Sequence, residues 1–87
     1  MPEKDLEVYH KKLNTAVELL DNNNKFAVEI FLECFNIALD NEDFFHAVES
    51  LFYLKESIKK FDLNINLENE IKKIPSNIYN LFNDRIL

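Results

Sequence analysis

The chain has 87 residues, of which 47% are hydrophobic, and it carries a net charge of −6 with no glycine and two prolines. A chain this short hides only about 60–65% of the surface its unfolded form exposes, so it makes one domain whose core must be efficient. The same figures exclude glycine-built phosphate loops and dinucleotide fingerprints, and they count against a nucleic-acid surface, which needs clustered Lys and Arg.

Tight β-hairpins lean on glycine for positive φ, so a glycine-free chain with long apolar-periodic stretches predicts an all-α protein. The first helix is expected from Glu3 to Asp21. Leu6, Tyr9, Leu13, Ala16, Val17 and Leu20 fall on one stripe at helical pitch, and Glu3, Asp5 and Glu7 sit where the helix dipole favours negative charge. Asn22-Asn23-Asn24 breaks the pattern, because Asn tolerates the left-handed conformation and also caps helices.

The second helix is expected from Asn24 to Asp40. Its apolar residues cover roughly 220° of the helix circumference at 100° per residue, leaving Glu29, Glu33, Asn36 and Asp40 in a narrow strip. An arc that wide needs neighbours on both sides, which predicts the central helix of a bundle, a helix covered in part by a second copy, or both. Cys34 lies within the arc and is expected in the core, and a single cysteine fits a reducing, cytoplasmic setting.

The third helix is expected from Glu42 to Phe61, with Phe44, Ala47, Val48, Leu51, Leu54, Ile58 and Phe61 facing inward. Glu42, His46, Glu49, Tyr53, Glu56 and Lys60 form the opposite strip, and the Phe-rich stripes are assigned to core. The short link after Asp40 makes the second and third helices an antiparallel hairpin. The tail, 66–86, is expected to hold a short helix around Leu67, Ile71 and Ile74 that ends at Pro75. A last turn or two through Ile78, Leu81, Phe82 and Ile86 follows, capped by Ser76 or Asn77.

The chemistry-bearing residues are sparse. Glu7-x-x-His10 matches half of the carboxylate–histidine unit of di-iron bundles, and Glu42, His46 and Glu49 share a solvent-facing strip. Neither histidine has a nucleophile at a meaningful spacing, so no catalytic residue, metal ligand or cofactor is expected. The N-terminal Met-Pro-Glu-Lys-Asp is too polar to read as a signal peptide, and no apolar run approaches the roughly 20 residues that span a bilayer.

The second and third helices resemble a small archaeal family known as domain of unknown function 357. Phe31, Asp43, Ala47 and Tyr53 stand in its register over residues 25–63, with Phe44 and Phe52 at aromatic-tolerant positions. Glu42 stands where that pattern has glycine, and Lys55-Glu56 replaces a His-Gly pair. The resemblance implies a three-helix bundle with no assigned activity. Ribonucleases of the HEPN group of helical domains carry Arg with a His four to six residues later, whereas the single arginine here, Arg85, has none after it.

The sequence thus predicts an antiparallel three-helix bundle with a helical tail, acting as a non-enzymatic protein-interaction or regulatory module. Its expected partner-binding surface is the pair of acidic strips Glu29-Glu33-Asp40 and Glu42-Glu49-Glu56, against a protein partner or, as a homodimer, a second copy. The alternatives are an acidic inhibitor that mimics nucleic-acid charge and a helical-bundle metal protein.

Overall fold

The structure, a computed structural model, describes residues 1–82. It is all-α: α1 (Glu3–Asp21), α2 (Ala27–Asp40) and α3 (Phe44–Lys60) are followed by the short α4 (Glu68–Ile71) and α5 (Ser76–Leu81). Helix α2 packs against both α1 and α3. Cys34 Sγ lies 3.8 Å from the Tyr9 carbonyl oxygen and Lys12 pairs with Glu33, so α1 and α2 run antiparallel. Tyr53 stacks on Phe31 across the α2–α3 turn with ring centroids 5.1 Å apart, which sets the second antiparallel pair.

The three major helices end in the same way, and none has glycine to do it with. The residues after the caps, Asn23 (φ 59°), Glu42 (φ 53°) and Asp62 (φ 52°), are left-handed. In each, the amide of that residue and the amide after it turn back onto the last carbonyls of the helix, as in Asn24 to Leu19, Asp43 to Ala38 and Leu63 to Ile58. Asn and Asp accept this conformation more readily than other side chains, whereas Glu42 bears its full steric cost.

These ends correct two expected boundaries. Helix α2 begins at Ala27 rather than Asn24, because Asn24 Oδ1 accepts the Phe26 amide at 3.0 Å and holds residues 24–26 as a turn. Helix α3 begins at Phe44 rather than Glu42: Glu42 closes the α2 end, and Asp43 caps α3 by accepting the His46 amide at 3.2 Å. Helix α1 matches its expected span.

The core holds Tyr9, Leu13 and Ala16 from α1, Ala27, Phe31, Cys34, Phe35 and Ala38 from α2, and Ala47, Val48, Leu51 and Leu54 from α3. Small residues bring the helices close. Ser50 and Ser57 are fully buried on α3, and their hydroxyls donate back to carbonyls of their own helix, Ser50 to His46 and Ala47 and Ser57 to Tyr53, so neither hydroxyl is orphaned. Every apolar side chain of α2 is buried or half-buried within the one chain. The wide arc is flanked by α1 on one side and α3 on the other, as its width requires.

The tail returns along the bundle rather than leaving it. Leu67 and Ile74 are buried in the core, and α5 packs on α3. Pro75, not Ser76 or Asn77, occupies the position before α5, and no side chain caps that helix. Phe82 reaches Phe45 with ring centroids 5.8 Å apart and edges crossed, while Ile86 and Arg85 lie outside the described residues.

Candidate functional site

Helix α3 has two faces of opposite character. At 100° per residue, Ala47, Leu54 and Ile58 point toward the core, and Phe45, Glu49, Phe52 and Glu56 occupy a band roughly 60° wide on the opposite side. The structure keeps that outer band in solvent: Phe45 is 59% exposed and Phe52 38%. The inward set expected for α3 includes neither of them, and the expected burial of the Phe-rich stripes holds for Phe31 and Phe35, which are in the core. Val48 and the half-buried Tyr53 form the floor between the two phenylalanines, and Phe82, directly after α5, forms a wall. The result is an open groove of about 460 Å³ in which Glu49 is the only carboxylate among the described residues.

Beneath the groove lies a polar seam that ties α3 to α1. Tyr9 is fully buried, and its hydroxyl donates to Glu49 Oε1 at 2.7 Å with the His46 carbonyl oxygen 3.0 Å away. Burial pushes the phenol well above its ordinary range, and the bond to Glu49 and its charge push the same way. Farther along the same two helices, Lys60 Nζ donates to the Leu20 carbonyl oxygen at 2.6 Å. Glu49 is thus held in place from below while its remaining surface faces the groove.

The His46 ring sits edge-on to Tyr9 at 5.0 Å and to His10 at 5.7 Å, and its Nδ1 is 2.7 Å from Asp43 Oδ2. Burial works to raise the Asp43 carboxyl, but hydrogen bonds from the His46 amide and ring, together with the His46 charge, outweigh it and hold the group below its ordinary value. The sequence did not bring His10 and His46 together, since they lie on helices whose relative register no local pattern sets. Among the described residues, no three His, Cys, Asp or Glu side chains are grouped to hold a metal ion. Cys34 is fully buried, and burial pushes its thiol up to about 11, which leaves it inert toward electrophiles.

The residues of the expected acidic strips fall in three different settings. Glu29 and Asp40 are exposed on α2, and Glu33 is engaged with Lys12 at 3.1 Å in a solvent-exposed pair of small energetic value. No exposed apolar residue stands among them on that helix. Glu42 is not on α3 at all, being the left-handed residue that closes α2. Glu49 and Glu56 are the two that share a face with exposed aromatic rings. The signal for that face was present in the sequence as two phenylalanines interleaved with two glutamates opposite the core stripe.

No family model matches the chain, and no curated protein or solved structure does either. Among the described residues, no helix is long and apolar enough to cross a membrane.

Proposed function

We propose that this protein is a non-enzymatic interaction module and that the outer face of α3, with the groove between it and the end of α5, is its contact surface. The observation that supports this reading is the pair Phe45 and Phe52, two large aromatic side chains left in water by a chain that covers every apolar residue of α2. Aromatic residues standing in a concave patch are the usual anchors of protein interfaces, because each removes a large apolar area from water at little cost in side-chain entropy. Glu49, fixed by Tyr9, adds a charge whose position is set before a partner arrives. The α2 strip of Glu29, Glu33 and Asp40 acts at longer range, as part of the field of a chain with net charge −6.

The reading is tested by mild affinity purification from the native host with the wild-type chain and with Phe45→Ser/Phe52→Ser. A stoichiometric protein partner that is lost in the double variant, while the variant keeps its helical circular dichroism, supports the α3 face. A partner retained by the variant places the contact elsewhere.

A further inference from the structure

We infer, resting on the role of the α3 groove as a contact face, that its occupant is an amphipathic helix of another protein whose apolar anchors are flanked by Lys or Arg. The spacing argues for a helix. Phe45 and Phe52 are seven residues apart, about 10.5 Å along α3 at 1.5 Å per residue, which is also the distance between anchors at i and i+7 on a partner helix. The groove has both phenylalanines in its lining together with Phe82, and its volume of about 460 Å³ suits apolar side chains of such a helix.

Charge selects the sign of the partner. Glu49 follows Phe45 by one turn and Glu56 follows Phe52 by one turn, both exposed, so each aromatic anchor has a carboxylate beside it. Lys59 and Lys60 come only after Glu56, at the end of the stripe, and Lys60 is engaged with the Leu20 carbonyl. A partner helix with basic residues one turn from its anchors meets both carboxylates. A second copy of this chain does not. Pairing by the same face brings Glu49 and Glu56 of both copies toward one seam, with half-buried Lys55 at its side and exposed Lys59 only at its end, and like charges so placed cost affinity. The chain's net charge of −6 acts in the same direction at long range, repelling a second copy and steering a basic segment.

The experiment titrates the full chain against two labelled synthetic helices by fluorescence anisotropy. Both carry leucines at i, i+3 and i+7 over about 18 residues, long enough for appreciable helicity; one has arginines beside the leucines and its twin has glutamates at the same places. The basic helix is expected to bind at least about 10-fold more tightly than its twin, with the preference shrinking as salt rises toward about 1 M. Phe45→Ser/Phe52→Ser is expected to weaken it by at least about 10-fold. Glu49→Gln/Glu56→Gln, in which residue 49 keeps an acceptor for Tyr9, is expected to weaken it by about 3-fold or more.

The failures are distinguishable. If both helices bind equally well and both need the phenylalanines, the groove remains a contact face and the basic partner is wrong. If the basic helix binds as well to Phe45→Ser/Phe52→Ser, the attraction is diffuse charge and the groove is not its site. If neither helix binds, or if the chain forms a dimer that Phe45→Ser abolishes, the inference is overturned, in the second case because the occupant is another copy.

Discussion

Helix α2 carries two phenylalanines and α3 three, and they spend them differently. In α2, Phe31 and Phe35 are wholly buried, and only the polar residues Glu29, Glu33, Asn36 and Asp40 are exposed. In α3 the inward positions are taken by Ala47, Ser50, Leu51, Leu54 and Ser57, and Phe45 and Phe52 stand outside. The core thus closes without Phe45 and Phe52, although Phe44, the first residue of α3, packs against it. Apolar content therefore measures how much a chain has to hide, and only the helical phase of each residue says which part remains for a partner.

The contrast makes its largest prediction for truncation. Phe35→Ala removes a fully buried ring and leaves a cavity, and is expected to cost about 3–5 kcal/mol in chemical denaturation. That is a large share of the stability of a domain this size. An effect below about 1 kcal/mol would show that α2 is not the centre of the core.

Alkaline pH tests the same burial from a different direction. The Cys34 thiol lies at about 11 in the folded protein against an ordinary 9.0, with burial as the main cause. The folded state thus holds its proton longer than the unfolded state, so the contribution to stability is whole below pH 9 and is lost as pH rises through about 11. Stability is expected to fall by about 2 kcal/mol between pH 8 and pH 10.5, and Cys34→Ser is expected to remove most of that slope up to about pH 10. Tyr9, also buried with its phenol raised, adds a further loss above pH 10. A flat profile in wild type would mean that water reaches the middle of α2.

The seam behind the groove is a smaller test. Tyr9→Phe deletes the hydroxyl that joins α1 to Glu49 and is expected to cost about 1–2 kcal/mol, with little further loss when Glu49→Gln is added, because the two substitutions remove one interaction. Full additivity in the double-mutant cycle would separate Glu49 from Tyr9 and remove the pre-positioning of that carboxylate. Smaller still is Glu42→Gly at the junction of the two helices. Glu42 holds φ at 53°, so glycine there is expected to stabilise by about 0.5–1 kcal/mol.

Much of the fold was legible, and the misses have physical reasons. The span of α1, the central place of α2 and the burial of Cys34 follow from periodicity, because a helix face some 220° wide has to be covered. Left-handed Asn23 follows from the tolerance of asparagine, but left-handed Glu42 does not. No local preference puts a glutamate there, and only the need to close α2 and cap α3 with Asp43 in a short turn does so. The tail was legible in its two short helices on either side of Pro75, but the first ends at Ile71 rather than at the proline. Its return onto α3 depends on Leu67, Ile74 and Phe82 finding distant partners, which no local pattern encodes.

The candidate site was legible by half. Glu49 and Glu56 follow from the acidic strip, while Phe45 and Phe52 stand neither in that strip nor in the inward set expected for α3. The helical phase places them beside the glutamates, and the buried positions of α3 are filled instead by Ala47, Val48, Ser50, Leu51, Leu54 and Ser57. Likewise the meeting of His10 with His46, and of Tyr9 with Glu49, required the parallel register of α1 and α3.

The central claim is that Phe45 and Phe52 form a surface rather than part of the core, and the most direct measurement of it is the unfolding free energy of Phe45→Ser/Phe52→Ser beside that of Phe35→Ala. The double variant is expected to lose less than about 2 kcal/mol, fewer than the single core substitution despite the removal of two rings, since both are already in contact with water. A loss above about 3 kcal/mol would contradict the account, because it would make those rings part of what holds the bundle together.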